Sequence, residues 1–265
     1  MLTLTNIKVS FRKERQQKLW GQERVTVLHN ISLQVKKGEC LGILGASGSG
    51  KSTIGRVMLG LLKPDSGQAQ IKGSDIYASR TGRNKLKTAA SVVFQDYTTS
   101  VNPRFRIREI LAEGLKVGQR KSQTSLNIPH EAAQLLKLVH LPAELINRYP
   151  HELSGGQLQR VCIARALACR PEFILFDEAV SSLDAHTQVE IMDILRELKE
   201  KTGLTYIFIT HDLSTITYLC DRVVFLKEGH ITATTPVNKI AQLKDEYAQA
   251  LMHAVLDFTM PQRHI

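Results

Sequence analysis

Nine consecutive residues have the types and spacing that bind phosphate, because they fit the pattern G-x-x-x-x-G-K-[ST] at every fixed position. They are Gly45, Ala46, Ser47, Gly48, Ser49, Gly50, Lys51, Ser52 and Thr53. Glycines allow a tight turn that aims successive backbone N–H groups at a phosphate. We expect the Lys51 ammonium to reach the β- and γ-phosphates of a nucleotide, and the Ser52 hydroxyl to bind Mg²⁺. A glycine- and serine-rich surface loop is the alternative interpretation.

Two adjacent carboxylates, Asp177 and Glu178, follow four large apolar residues at positions 173–176. This pattern predicts a buried strand that ends in acids. Buried charges are costly unless they are paired or bind a metal, so two adjacent acids here favour a function. We expect Asp177 to bind Mg²⁺ through its water shell and Glu178 to orient or deprotonate an attacking water. Solvated acids in a strand-end turn are the alternative.

Polar residues also follow two other predicted core strands. Gln95 comes after residues 91–94, which have the pattern of a buried strand, and His211 comes after residues 206–210. Doubly wound sheets place ligand-binding groups at the C-terminal ends of their strands, which is where Gln95 is expected. A lone histidine is usually structural, but His211 is well placed in the sequence to donate a hydrogen bond to a γ-phosphate.

A Leu-Ser-Gly-Gly-Gln run at residues 153–157 precedes a predicted helix at 157–169. Ser154 has the residue type of an N-cap, and the two glycines expose backbone N–H groups at the positive end of the helix. Taken alone, this stretch is better explained by a capped helix without a ligand. A further predicted helix begins with Ser-Ser-Leu-Asp at 181–184 and reaches about residue 201.

The elements that must position these residues follow from hydrophobic periodicity. Segments 40–44 and 54–60 predict a strand and a helix on either side of the glycine-rich loop, and segments 2–11 and 25–35 alternate like a half-exposed antiparallel sheet. Phe11 is the first candidate to stack on an adenine and Trp20 the second, although Phe11 also suits a hydrophobic position at a sheet edge. Helical periodicity dominates between residues 97 and 151.

Composition indicates a soluble globular chain with a large core, since 43% of its 265 residues are hydrophobic and 23% are charged. No run of about 18 apolar residues and no signal-peptide core is present, so we expect the chain in the cytoplasm. Its four cysteines form no C-x-x-C pair and are expected to be reduced. A net charge of +10 is compatible with nucleic acid or an anionic membrane, although a solvated basic face explains it more simply.

Taken in order, these motifs resemble those of the ATP-binding subunits of ABC transporters over essentially the whole chain. The resemblance identifies residues 45–53 as the Walker A motif, Gln95 as the Q-loop glutamine, 153–157 as the signature and 173–177 as the Walker B motif. It identifies residues 181–184 as the D-loop and His211 as the switch histidine. It implies ATP and Mg²⁺ as ligands, catalysis by Glu178, His211 and Gln95, and metal binding by Ser52, Gln95 and Asp177. The nucleotide contacts it implies are those of Phe11, the nine Walker A residues and, on a partner's nucleotide, Ser154, Gly155, Gly156, Gln157 and Asp184.

The fold class that the resemblance implies is α/β. It is a P-loop NTPase core with a mixed, mainly parallel sheet and helices on both faces, an N-terminal antiparallel sheet and an inserted helical subdomain. The ABC ATPase domain would span residues 1–235, with its catalytic core at 1–95 and 155–235 and the helical signature subdomain at 96–154. A C-terminal helical tail would occupy residues 236–265.

Finer features resemble the peptide and nickel importer branch of the family. These are Phe-Gln-Asp at 94–96 with Ser-Val-Asn-Pro-Arg at 100–104, and a tail segment at 245–251 that is similar to a degraded H-P-Y-T-x-x-L segment. Asp-Glu-Ala-Val-Ser at 177–181 and the run at 157–162 are similar to nickel-importer subunits. No cysteine follows Cys220, which favours a member that does not import oligopeptides.

The resemblance therefore implies an ATP-hydrolysing subunit that powers import of nickel, metal chelates or short peptides. Implied partners are two transmembrane permease subunits, a second ATPase subunit that is a related chain or a copy of this one, and indirectly an extracytoplasmic solute-binding protein. The chain would lie peripherally on the cytoplasmic face of the inner membrane, without nucleic acid. The alternatives are a soluble ABC ATPase acting on nucleic acid or ribosomes, and a phosphate-binding regulatory module that does not hydrolyse ATP.

Overall fold

The computed structural model describes residues 1–13, 23–122 and 127–259, which form two compact units, Met1–Leu86 with Phe208–Ile265, and Lys87–Ile207. The strands are β1 (Leu2–Arg12), β2 (Arg24–Val35), β3 (Cys40–Leu44), β4 (Ser66–Ile71), β5 (Ser74–Asp75), β6 (Ala90–Phe94), β7 (Phe173–Asp177), β8 (Thr205–Thr210), β9 (Arg222–Lys227) and β10 (His230–Pro236). The α-helices are α1 (Lys51–Met58), α2 (Arg80–Ala89), α3 (Ile107–Ser122), α4 (Ile128–Leu138), α5 (Gly155–Ala168), α6 (Ala185–Thr202), α7 (Leu213–Leu219) and α8 (Glu246–Thr259). Short 3-10 helices lie at Ala143–Asn147, Pro150–Glu152 and Val237–Gln242.

The first unit contains an antiparallel sheet in the order β2-β1-β4-β5. Along β1 the apolar side chains at residues 2, 4, 7 and 9 are buried, and a register shift between Leu4 and Ile7 keeps them on the core face. Residues alternate between the two faces of a strand, so one irregularity is needed to change from even to odd positions. The structure confirms the antiparallel sheet that the alternating pattern predicted.

A second group of strands in the first unit carries the glycine-rich loop. Here β9 pairs antiparallel with β10 and in parallel with β3, and the C-terminal half of β8 lies beside β3. All five residues of β3 are buried, as expected of a strand covered on both faces. Gly42 leaves room for α7, because a Cβ atom at this position would lie 2.3 Å from Ile216 Cδ1.

The second unit combines strands with most of the longer helices. β6 pairs in parallel with β7, in a register that runs from Ala90 with Phe173 to Phe94 with Asp177. The helices α3, α4 and α5 pack together, and α3 comes so close to α5 that a Cβ atom at Gly114 would lie 2.6 Å from the Arg165 carbonyl oxygen. The helical periodicity of the sequence is thus explained by a helical layer in this unit.

Some sequence-based boundaries were wrong. The helix expected at Ser181 begins at Ala185, because the carboxylate of Asp184 accepts a hydrogen bond from Thr187 N and serves as the N-cap. The strand expected to be buried at 91–94 has only Val93 buried, because β6 is an edge strand. The tail is a 3-10 helix followed by a separate α8, and Trp20 lies outside the described residues. Among the described residues no helix combines the length and apolar character needed to span a membrane.

Candidate active site

The glycine-rich loop of the first unit has a backbone that only glycine tolerates at several positions. A Cβ atom at Gly45 would lie 2.2 Å from the Leu226 carbonyl oxygen. Gly50 has φ 103°, in the left-handed region that favours glycine, and it precedes α1 as the N-cap without a side-chain capping bond. The first turn of α1 contains no acidic residue. The positive N-terminal end of α1 therefore faces no acidic side chain of its own first turn, and a helix N-terminus of this kind favours phosphate.

Lys51 lies inside this loop. Its side chain is buried, and its Nζ donates hydrogen bonds to the carbonyl oxygens of Gly45 at 2.7 Å and Ala46 at 2.8 Å. The Ser49 N–H also donates to the Ala46 carbonyl, and the buried Ser49 Oγ has no hydrogen-bond partner within the described ranges. A buried cation and an unused hydroxyl beside a helix N-terminus fit the phosphates of a nucleotide.

The hairpin between β9 and β10 supports the loop from one side. Gly229 N donates a hydrogen bond of 2.9 Å to the Ser49 carbonyl, and Gly229 O accepts one of 2.8 Å from His29 N. A Cβ atom at Gly229 would lie 2.1 Å from the Val27 carbonyl oxygen, so a larger residue would push the hairpin away. The loop is consequently fixed by backbone contacts as well as by its own glycines.

His211 follows β8 in the first unit and is exposed. The next residue, Asp212, donates from its N–H to Thr210 Oγ1 at 3.0 Å, and its carboxylate caps α7 by accepting from Ser214 N and from Thr215 N and Oγ1. Burial alone would raise the pKa of Asp212, but these hydrogen bonds outweigh it and hold the pKa below its ordinary value. The backbone beside His211 is therefore held in place while its ring stays accessible.

Phe11 lies near the end of β1, where it pairs with Val25 of β2. Both side chains are well exposed, with 40% of Phe11 and 50% of Val25 accessible. Together they form a small apolar surface on which a flat ring can stack. This geometry suits the predicted adenine contact of Phe11, which stays a prediction, as does the alternative of a simple edge hydrophobe.

The acids of the second unit lie where two parallel strands end. Phe94 and Asp177 form the last pair of β6 and β7, so Gln95 and Glu178 both follow at the same edge of the sheet. Glu178 has φ 50°, a left-handed conformation that is uncommon outside glycine and often found at functional sites. Asp177 and Glu178 are half-buried, whereas Gln95 is exposed.

Asp96 fixes the turn that follows Gln95. Its carboxylate accepts hydrogen bonds from Thr98 Oγ1 at 2.6 Å, from Thr98 N at 3.0 Å and from Thr99 N at 3.1 Å. These bonds, above all the one from the Thr98 hydroxyl, lower the pKa of Asp96 to about 2. The carboxylate is therefore ionised at neutral pH and orders the start of the segment after Gln95.

The backbone after Glu178 is held by side chains, a feature that sequence reasoning missed. The Glu178 carbonyl accepts from Ser181 N at 3.2 Å and from Ser181 Oγ at 2.9 Å. The Ala179 carbonyl accepts from Nε2 of Gln159, at 2.6 Å. Gln159 is fully buried in α5, two residues beyond the signature, so this helix directly fixes the position of the peptide after Glu178.

Gln188 of α6 holds the next part of the same segment. Its Nε2 donates to the carbonyls of Val180 at 2.9 Å and Leu183 at 3.1 Å. Asp184 accepts from Thr187 N and Oγ1, and these bonds, with the backbone bond first, lower its pKa. Hydrogen bonds thus hold residues 178–184 near both ends of this segment. A glutamine near the apolar positions of an amphipathic helix is the sequence signal that points to Gln159 or Gln188.

The signature forms the start of α5, as a capping box. Ser154 Oγ accepts from Gln157 N at 3.2 Å, and Gln157 Oε1 accepts from Ser154 N at 3.0 Å. A Cβ atom at Gly155 would lie 2.5 Å from Tyr97 Oη, and one at Gly156 would lie 2.4 Å from Thr187 Cγ2. Glycine is therefore required here for close packing.

The candidate residues divide between the two units. The first unit contains Phe11, residues 45–53 and His211, and the second contains Gln95, the signature residues, Asp177, Glu178 and Asp184. Ser52, Gln95 and Asp177 offer only oxygen ligands, from a hydroxyl, an amide and a carboxylate. Each of these groups, taken singly, is of the oxygen type that Mg²⁺ prefers.

Comparison with known proteins agrees with this set of motifs. Residues 28–181 match the family model described as ABC transporter. A Brucella ovis protein named for peptide import is 41% identical over 231 residues, covering 86% of this chain and 72% of its own length. The nickel import ATP-binding protein NikE of Rhodospirillum rubrum is 41% identical over 235 residues, covering 87% and 83%. The metal-staphylopine import system ATP-binding protein CntF of Staphylococcus aureus is 36% identical over 258 residues, covering 97% and 100%.

Solved structures lead to the same family. A dimeric structure of the ATP-binding cassette MJ0796, in a post-hydrolysis state bound to ADP and Pi, superposes with a TM-score of 0.75 at 30% identity. It covers 89% of this chain and 99% of MJ0796. These matches confirm the fold class predicted from the sequence. The chain therefore belongs to the ABC transporter family, as an ATP-binding subunit that hydrolyses ATP.

Proposed function

We propose that this chain powers an importer for nickel, another chelated metal or short peptides. The observation that supports this most strongly is the relative named for metal-staphylopine import, which matches 97% of this chain and is covered over 100% of its own length. Relatives named for nickel and peptide import support the same class of substrates. No comparison favours a soluble ATPase acting on nucleic acid or ribosomes.

Within this function, the Walker A loop binds the phosphates of ATP. The amides of residues 48–53 donate to the phosphate oxygens, and Lys51 leaves its carbonyl partners to reach the β- and γ-phosphates. Ser52, Gln95 and Asp177 would hold Mg²⁺, which would neutralise charge on the phosphate oxygens. Phe11 stacks on the adenine.

Glu178 orients or deprotonates the attacking water, and His211 donates a hydrogen bond to the γ-phosphate. The left-handed backbone of Glu178, held by Ser181 and Gln159, supports a fixed position for its carboxylate. Gln95 completes the polar groups around the reacting phosphoryl. Catalysis in this scheme rests on positioning and on charge neutralisation rather than on covalent chemistry.

A second ATPase subunit completes the site. We assign Ser154, Gly155, Gly156, Gln157 and Asp184 to the nucleotide held by that partner, which is a related chain or a second copy. Ser154 is exposed at the N-terminus of α5, where the helix dipole favours the negative γ-phosphate. The dimeric MJ0796 structure with ADP and Pi is the relative that supports this arrangement.

The permease partners are proposed to dock in the helical part of the second unit. A cavity of about 330 Å³ lies there between the segment after Gln95 and the signature, lined by Tyr97, Pro103, Pro150, Leu153 and Leu158 among others. This mainly apolar cavity is bordered by the segment after Gln95 and by the signature, so it suits a permease segment whose position must change with ATP hydrolysis. In functional terms the catalytic core is 1–95 with 155–235, the coupling subdomain is 96–154, and 236–265 is a tail.

The chain then works peripherally at the cytoplasmic face of the inner membrane, with a solute-binding protein delivering cargo from the other side. A strain that lacks this gene tests the proposal through uptake of ⁶³Ni and of a labelled dipeptide. We expect this strain to lose uptake of either ⁶³Ni or the dipeptide. The wild-type gene should restore that uptake, and the Glu178→Gln gene should not. Unchanged uptake of both, together with co-purification of the chain with ribosomes or DNA rather than a permease, would contradict it.

A further inference from the structure

The C-terminal tail contacts the nucleotide-binding loop through one side chain. The Ala46 N–H donates a hydrogen bond of 2.9 Å to Oη of Tyr247, which lies in the first turn of α8. Both residues belong to the first unit, and Tyr247 lies outside the segment 28–181 that matches the family model. A contact between residues 201 positions apart in the sequence has to be specified by the packing of the tail.

The position of Tyr247 is well determined by its neighbours. Asp245 caps the start of α8, because its Oδ1 accepts from Ala248 N at 2.9 Å and also from Thr232 Oγ1 of β10 at 3.3 Å. Ala248 is fully buried. The Lys227 ammonium lies 5.4 Å from the centroid of the Tyr247 ring, within the range of a cation–π contact. The hairpin that supports the Walker A loop thus also orients the tyrosine.

The contact matters because, in the proposed function, the Ala46 carbonyl loses a partner when Lys51 moves to the nucleotide. In this structure the Ala46 carbonyl accepts from Lys51 Nζ at 2.8 Å and from Ser49 N at 3.2 Å. Lys51 has to release that carbonyl to reach the phosphates. Once it has left, the bond from the Ala46 N–H to Tyr247 continues to hold the first peptide of the loop.

We propose that Tyr247 is a positioning residue for nucleotide binding, which acts by fixing the Ala46 peptide so that the Walker A loop keeps its phosphate-binding shape. The C-terminal tail is then a working part of the ATP site. This role rests on the nucleotide-binding part of the proposed function and is independent of the transported cargo.

The test is Tyr247→Phe in the full chain, which removes the hydroxyl and keeps the ring. A hydrogen bond contributes about 0.5–1.5 kcal/mol, so the Kd for ATP measured without hydrolysis should rise about two- to twelvefold. KM for ATP should rise by a similar factor, with kcat at saturating ATP unchanged. Tyr218→Phe is the matched control, since Tyr218 is a half-exposed tyrosine of α7 in the same unit, and it should leave Kd unchanged.

A double-mutant cycle separates positioning from a general structural effect. Ala46→Pro removes the N–H donor, so Tyr247→Phe should have no further effect on Kd in that background. The proposal would be overturned if Tyr247→Phe had the wild-type Kd for ATP, or if it raised Kd equally in the wild-type chain and in the Ala46→Pro chain. Either result would leave the proposed ATP binding itself unaffected. A wild-type chain that failed to bind ATP would overturn both.

Discussion

At the residue scale, the backbone conformation of Glu178 is as distinctive as the chemistry of its carboxylate. A left-handed conformation at a glutamate costs free energy, and here it is held by bonds from Ser181 to the Glu178 carbonyl. Lys51 is a second example, in which a buried cation is stabilised by two carbonyls of the loop that contains it. In both cases, hydrogen bonds that involve nearby peptide groups limit the positions open to the side chain.

Glu178→Gln should bind ATP with nearly wild-type affinity and hydrolyse it at least about 100-fold more slowly, because the amide cannot accept a proton from water. Equilibrium binding and steady-state phosphate release measure the two effects separately. Glu172→Gln is a suitable control, since Glu172 lies just before β7 in the same unit. Normal turnover in Glu178→Gln would remove this residue from the catalytic role.

Asp96 gives a prediction about pH. Its pKa in the folded chain is about 2 instead of 3.8, so the folded state binds its proton more weakly than the unfolded state does. The stabilising contribution is therefore complete above about pH 4 and is lost as the pH falls toward about 2. The difference in urea midpoint between wild type and Asp96→Asn should be constant above pH 4 and shrink below it. A difference that grows on acidification would contradict this assignment.

At the scale of elements, α5 has two structural roles, and the signature motif in its sequence indicates only the first. Its N-terminus carries the signature, and its buried Gln159 holds the peptide after Glu178. Arg160 pairs with Glu190 of α6, which adds a second tie between these helices. A shift of α5 therefore moves the backbone next to Glu178, the proposed catalytic residue, as well as the signature.

Gln159→Met tests this link, because methionine keeps the volume of the side chain and removes the amide donor. We expect kcat for ATP hydrolysis to fall about tenfold, with Kd for ATP unchanged, since a displaced catalytic group affects turnover more than binding. Gln134→Met on the exposed face of α4 serves as the control. Equal kcat in Gln159→Met and wild type would show that the bond does not position Glu178.

Gly156 gives a packing prediction between α5 and α6. A Cβ atom there would lie 2.4 Å from Thr187 Cγ2, so Gly156→Ala should destabilise the chain by about 1–3 kcal/mol. Thr187→Ser removes that methyl group and keeps the hydroxyl that bonds to Asp184, so it should restore part of the loss. Denaturant unfolding of the two single variants and of the double variant measures how much unfolding free energy Thr187→Ser restores. Strictly additive losses of unfolding free energy would contradict the prediction.

At the scale of the whole molecule, the sequence allowed prediction of the residues whose chemistry depends on local spacing. The Walker A loop, the two acids at the end of β7 and the N-cap residue Ser154 are of this kind, because neighbours along the chain set their geometry. The bond from Gln159 to Ala179 and the contact between Tyr247 and Ala46 were missed, since these partners lie 20 and 201 positions apart and depend on tertiary packing. The late start of α6 was missed because Asp184 caps the helix instead of entering it.

The central claim is that this chain hydrolyses ATP as one half of a paired site in a membrane importer. The most direct measurement is the rate of ATP hydrolysis per chain, in a monomeric preparation and in the complex purified with its permease and partner ATPase. The account predicts a high rate in the complex, a very low rate in the monomer and none in a complex carrying Glu178→Gln. A monomer that hydrolyses ATP as fast as the complex would contradict it.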